Sequence, residues 1–258
     1  MAELEKALRT RRDEGGRSFV PYVTGGVAGV NAELLRGLQR VGADAIEVGI
    51  PHSDPVMDGG VIQEASRRSL EAGTRPGDVL ATIREAALSI PVAVMTYVNP
   101  VLRRGISPFL DEAREAGVAG TIVPDLPVDE ADAFDAACAL RGIDAVLLAA
   151  PGAGADRLAR IGAAAHGFVY CVAAYGVTGA RGSLSNVAWE LVDAVRAHTD
   201  LPLLIGLGIG TPQLAAEACG FADGVIVGSA LMSRLLEGDP DGTVELAGAF
   251  RDAIPIAR

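Results

Sequence analysis

Aromatic side chains make up only 4% of this 258-residue chain, with a single tryptophan among them. A core short of large rings must be filled by Ala, Val, Ile and Leu, and half of the residues are hydrophobic. That supply suits a parallel sheet covered by helices. Cys138, Cys171 and Cys219 are odd in number, widely spaced and form no CxxC pair. Their pattern excludes a disulfide framework and offers no zinc ligand set, so buried thiols in a reducing cytosol are expected. No apolar run reaches the roughly 18 residues that span a bilayer. Residues 1–14 mix acids and bases where a signal peptide would carry an apolar stretch. The expected protein is soluble and cytoplasmic. Positive charge is scarce too: a net charge of −11 excludes nucleic acid as a partner, though not a small anion held by backbone amides.

What is present is an alternation. Short β-branched runs at 19–24, 45–49, 92–97, 120–124, 145–148, 168–172, 203–206 and 224–227 predict eight strands. Helix-like stretches lie between them at 32–41, 107–116, 129–140, 155–164, 186–198 and 212–218, with a closing helix at 243–253. Several open on Asp, Ser, Thr or Pro, which cap free amides or fit the first helical φ. Strict alternation implies parallel strands and right-handed crossovers. The length matches the roughly 250 residues usual for a closed α/β barrel. The expectation is one (β/α)₈ TIM-barrel domain over residues 1–258, with a doubly wound sheet as the rival. Residues 50–91 are too many for one loop and one helix. They predict a Gly/Pro/Asp-rich catalytic loop at 50–60 after the second strand, then helices near 61–72 and 76–88.

The second strand carries a carboxylate. In Ala45-Ile46-Glu47-Val48-Gly49 the branched residues share one face, leaving Glu47 between small neighbours on the face directed into the barrel. Loss of hydration there should raise its pKa and suit it to proton transfer; a structural Glu paired with Arg is the competing reading. Asp54 and Asp58 follow in a turn-rich loop where acids often only form turns. His52 is a lone loop histidine, expected to be solvated. Farther on, Gly176-Val177-Thr178-Gly179, Gly206-Leu207-Gly208-Ile209-Gly210 and Gly228-Ser229 each stand where a strand gives way to a helix. Three such turns after the last strands form a recurrent phosphate site in this fold, built from backbone N–H groups and helix N-termini. The residues thus point to a small phosphorylated substrate and acid–base chemistry.

Over nearly its whole length the chain resembles the tryptophan synthase α subunit family. The resemblance rests on Glu47-Val48-Gly49-Ile50-Pro51-His52-Ser53-Asp54-Pro55, Asp58-Gly59, Ile62-Gln63, Met95-Thr96-Tyr97-Val98-Asn99-Pro100, Pro124-Asp125-Leu126-Pro127 and Gly176-Val177-Thr178-Gly179. It implies a retro-aldol cleavage of indole-3-glycerol phosphate to indole and glyceraldehyde 3-phosphate. Glu47 is then the acid–base carboxylate, and Asp58 bonds the indole N–H. Tyr22, Tyr97, Tyr170 and Thr178 meet the substrate, while Gly179, Gly208, Gly228 and Ser229 hold its phosphate. The resemblance further implies no metal or cofactor in this chain. Its partner is a β subunit bearing pyridoxal phosphate, in an α₂β₂ complex that Asp54, Asn99 and Pro127 would face. Three positions depart from the family pattern: Gly60 replaces a proline, Ala173-Ala174-Tyr175 lacks a polar residue often found there, and His52 stands at a usually aromatic place. The first should loosen the loop, and coupling to a partner is where the departures bear. The competing functions are a stand-alone lyase releasing free indole, a phosphosugar isomerase, and a silent subunit that only activates a partner.

Overall fold

The computed structural model describes residues 2–172 and 186–255. Eight parallel strands close into a barrel in chain order: β1 (Ser18–Thr24), β2 (Ile46–Gly49), β3 (Val92–Met95), β4 (Val118–Ile122), β5 (Asp144–Ala149), β6 (Val169–Val172), β7 (Leu203–Gly206) and β8 (Gly224–Val227). β8 pairs back onto β1 through Ser18 to Gly224 and Pro21 to Val227, so the sheet has no free edge. The closed ring excludes the doubly wound alternative.

Twelve helices accompany the strands among the described residues. They are α1 (Glu3–Asp13), α2 (Ala32–Arg40), α3 (Gly60–Glu71), α4 (Pro76–Ala86), α5 (Val98–Arg104), α6 (Ile106–Glu115), α7 (Asp132–Ala139), α8 (Ala155–Ala164), α9 (Asn186–Arg196), α10 (Pro212–Ala218), α11 (Ser229–Leu236) and α12 (Pro240–Ala253). The long 50–91 segment resolves into a loop and the two expected helices, α3 and α4. None of the described helices is long and apolar enough to cross a membrane.

Where sequence and structure differ, a particular contact decides. α1 was not expected, because only two apolar residues mark its inner face. Yet Leu4 and Leu8, one turn apart, are fully buried. A Cβ at Gly120 would collide with Leu4, so the bare glycine on β4 is what lets α1 seat against the barrel. β3 ends at Met95 rather than Tyr97, because α5 starts at Val98. The Val98 N–H, otherwise unpaired at a helix start, donates to the Asp125 carboxylate at 2.8 Å. α7 starts at Asp132 rather than Asp129, after a turn closed by the Glu130 N–H on the Pro127 carbonyl at 2.9 Å, and Asp129 forms ion pairs to Arg157 and Arg160 of α8. α12 starts at Pro240, where the Asp239 carboxylate accepts the Gly242 N–H at 2.9 Å.

Carboxylates seal the N-terminal end of the barrel, each accepting an N–H left over at an element start. Asp44 accepts from Phe19 of β1 at 2.9 Å, Asp223 from Leu203 of β7 at 2.9 Å, and Asp144 from Glu5 of α1 at 2.9 Å. Asp44 does most, since it also takes Arg11 of α1 at 2.7 Å and the buried Arg251 of α12 at 3.0 Å. Asp44→Asn leaves the Arg251 guanidinium buried without a counter-charge. Urea unfolding is expected to show a loss of about 3 kcal/mol with an unchanged m-value.

Gly60 is the first residue of α3 and its surroundings are open. Gly59 before it has φ −73° and ψ 163°, the conformation a residue adopts ahead of proline. Gly60→Pro therefore fits without strain at a position where the N–H has no helical partner. It is expected to stabilise by about 0.5–1 kcal/mol, read as a higher thermal midpoint.

Candidate active site

The C-terminal ends of the strands open into a cavity of about 250 Å³. Among the described residues its walls include Tyr22, Glu47, Asp58, Tyr170, Gly208, Gly228 and Ser229. Register explains the first two: Tyr22 lies beside Glu47 on β1 and β2, and the next position round the ring is the small Ala93. The tyrosine rings fit because glycines face them. A Cβ at Gly49 would strike the Tyr22 ring, and one at Gly206 would strike Tyr170. Gly206 thus seats a side chain, whereas the sequence reading grouped it with the phosphate turn. The turn proper begins at Leu207 and Gly208, both at positive φ (65° and 100°).

The Glu47 carboxyl is 1% exposed, and its Oε2 has no hydrogen-bond partner among the described residues. Burial, aided by the nearby charge of Asp58, pushes its pKa up to about 8. Asp58 reaches the same cavity from the loop joining β2 to α3. Burial pushes it up to about 6, opposed by the Tyr97 hydroxyl, which donates to its Oδ2 at 3.2 Å. Near neutral pH, Glu47 therefore holds a proton while Asp58 is ionised. One site contains an acid and an anion from two carboxyl groups. Two phenols also line the cavity: Tyr22, bonded to the Thr24 hydroxyl at 3.1 Å, and Tyr170, both held neutral by burial.

Beyond Tyr22, on the wall that follows β8, Gly228 and Ser229 open α11. The first N–H groups of that helix lie beyond reach of its own carbonyls and border the cavity together with Gly208 and Gly210. Ser233, one turn further, also lines this wall and donates to the Ser229 carbonyl at 2.9 Å. Sequence reasoning missed it because α11 was not among the expected helices. Thr178 and Gly179, with Ala173-Ala174-Tyr175, lie outside the described residues.

Asp54, Asn99 and Pro127 are all exposed. They stand on the connections after β2, β3 and β4, three neighbouring strands, so they share one side of the barrel mouth. Val56, Met57 and Leu102 on the same connections are exposed apolar residues. Met57 and Pro127 together line a smaller cavity of about 180 Å³. His52 is not freely solvated as expected: its ring stacks on Tyr97 with centroids 4.6 Å apart. At the other end of the barrel, Glu5, Asp144 and His166 bring ligand atoms within 4.8 Å of one another. There, Asp144 already holds the Glu5 N–H and Glu5 pairs with Arg9 at 2.7 Å, which accounts for both acids.

The family model for the tryptophan synthase alpha chain matches residues 8–248. The tryptophan synthase alpha chain of Streptomyces coelicolor is 44% identical over 99% of this chain and 95% of its own length. That of Synechococcus elongatus is 41% identical over 98% and 97%. A structure of Mycobacterium tuberculosis tryptophan synthase superposes with a TM-score of 0.92 at 37% identity, covering 99% of both chains. The alpha subunit from Legionella pneumophila gives 0.88 at 33%, covering 98% of both. With the closed barrel and its two-carboxylate mouth, these matches establish that the chain belongs to the tryptophan synthase alpha chain family, carbon–carbon lyases that cleave indole-3-glycerol phosphate.

Proposed function

We propose that Glu47 carries the proton transfers of that cleavage and that Asp58, ionised, steadies the charge they create. The reading rests above all on one observation: two carboxyl groups share a cavity, with pKa values pushed to either side of neutrality. Protonated Glu47 gives its proton to the indole ring carbon that carries the glycerol chain. The ring nitrogen becomes positive, and the Asp58 carboxylate accepts its N–H and steadies the charge. Glu47, now ionised, accepts the proton of the adjacent glycerol hydroxyl. The carbon–carbon bond breaks, its electron pair restores the indole ring, and the hydroxyl carbon becomes the aldehyde of glyceraldehyde 3-phosphate. No step draws on a metal or a cofactor.

Gly179, Gly208, Gly228 and Ser229 are proposed to take the substrate end that carries phosphate, and Thr178 to meet the substrate. Free N–H groups at the start of α11 supply donors and a partial positive charge without a cation. Tyr22, Tyr97 and Tyr170 are proposed to border the indole. The exposed side bearing Asp54, Asn99 and Pro127 is assigned to a tryptophan synthase β subunit, which would carry the pyridoxal phosphate. A stand-alone indole-releasing lyase is not favoured, since the compared curated relatives are tryptophan synthase alpha chains.

The deciding experiment follows indole release from indole-3-glycerol phosphate, with and without a β subunit. Release is expected, faster with the partner, and Glu47→Gln is expected to lower kcat by roughly 10²–10⁴-fold with folding intact. Full activity in that variant would sink the assignment. Stability gives a second check. An unfolded Glu ionises above the ordinary value of 4.5, while folded Glu47 keeps its proton up to about 8. Its contribution is thus complete below the unfolded value and is lost as pH rises through about 8. Glu47→Gln is expected to unfold at a higher temperature than the parent at pH 9, with the difference vanishing by pH 4 to 5.

A further inference from the structure

The loop that carries Asp58 is weakly held by burial: Val56 is 66% exposed and Met57 42%. Two backbone–backbone hydrogen bonds are internal to it, Val56 N–H to the Asp54 carbonyl and Asp58 N–H to the Pro55 carbonyl, both 3.0 Å. Among the described residues, 52–58 are hydrogen-bonded outside this stretch only to Gln63 and Tyr97. The Gln63 amide donates to the Asp58 carbonyl at 2.8 Å and leaves the carboxylate unconstrained. Tyr97 does more. Its hydroxyl accepts the Met57 N–H at 3.1 Å and donates to Asp58 Oδ2 at 3.2 Å, so one oxygen fixes both backbone and side chain.

One ring covers Tyr97 from the loop side. The His52 imidazole lies 4.6 Å from it, centroid to centroid, with the planes 23° apart. His52 is itself oriented, because its Nδ1 accepts the Asp54 N–H at 3.1 Å, which puts the neutral ring's proton on Nε2. We propose that His52 is a positioning residue for the cleavage: stacked on Tyr97 and braced by the Asp54 N–H, it holds the Tyr97 hydroxyl on Asp58. The proposal rests on the assignment of Asp58 as the anion that faces the indole nitrogen.

The consequence is chemical as well as geometric. The Tyr97 hydroxyl favours the ionised form of Asp58, against the burial that opposes it. If Tyr97 swings away, Asp58 takes up its proton at a higher pH and less of the enzyme is competent near neutrality. The titratable groups facing this corner are Asp54 and His52 on the loop, Glu47 on β2, Asp125 after β4, and the phenols of Tyr22, Tyr97 and Tyr170. Of these, His52 can be exchanged without altering a group assigned to substrate.

The test measures kcat and KM for indole release by the full chain across pH 5–9. His52→Ala is expected to lower kcat by about three- to tenfold, on the scale of a lost aromatic stack, with KM changed less. The acid limb of its kcat/KM profile is expected to move to higher pH. His52→Phe keeps the stack, and the Asp54 N–H it frees is exposed to water. It is expected to recover most of kcat and the parent's acid limb. On a Tyr97→Phe background, His52→Ala is expected to cost less than twofold, since the hydroxyl it positions is gone. Unchanged kcat in His52→Ala, failure of phenylalanine to rescue, or an undiminished loss on the Tyr97→Phe background would each overturn the proposal. Asp58→Asn separates the two levels. If it is inactive while His52→Ala is fully active, the site assignment stands and the positioning role falls; if Asp58→Asn is fully active, both fall.

Discussion

The arrangement of the barrel mouth depends on one costly act, the burial of the Glu47 carboxyl beside a second carboxyl. An ionised carboxylate loses several kcal/mol of hydration in such a place unless a cation or several donors replace the water. Neither is available to Glu47 Oε2 among the described residues. The fold meets the cost by keeping the proton on, and that proton is what the proposed chemistry spends. Around it stand groups that do not neutralise it: the small Ala93 beside it, and phenols that remain protonated. A lysine or arginine against Glu47 would hold it ionised and remove the acid.

The two ends of the barrel use the same residue type in opposite ways. At the N-terminal end Asp44 and Asp223 are surrounded by donors, with backbone N–H groups on one side and Arg11, Arg251 or Arg196 on the other. Those carboxylates are satisfied, and they tie α1, α9 and α12 to the strand ends. At the C-terminal end Glu47 and Asp58 are left short of donors. Strand polarity makes the division natural: the connections that leave the C-terminal ends vary without disturbing the ladder, whereas the N-terminal end must be closed.

Glycine likewise does two jobs in the mouth. Gly49 and Gly206 are gaps into which Tyr22 and Tyr170 fit, and Gly208 takes a backbone conformation that L side chains rarely adopt. The first job makes shape and the second leaves backbone donors accessible. Tyr97 joins the loop to the barrel, so the position of Asp58 is set by a side chain on the next connection along the chain, 39 residues away in sequence and adjacent in space.

Alternating β-branched and helix-like stretches were enough to read eight strands, the closed barrel and both helices of the 50–91 segment, because each strand is buried on both faces and each helix has one wide apolar face. The inward direction of Glu47 was legible too, since side chains alternate along a strand. The sequence by itself could not show α1, whose burial rests on Leu4 and Leu8 alone and on the space left by Gly120. It could not separate Gly206 from the phosphate turn, because only the ring of Tyr170 on the neighbouring strand reveals what that glycine makes room for. Nor could it place His52 on Tyr97, forty-five residues away. Local patterns record which way a residue faces. Which partner it meets is decided by the closure of the barrel, and the pKa values and positions on which the chemistry rests depend on those partners.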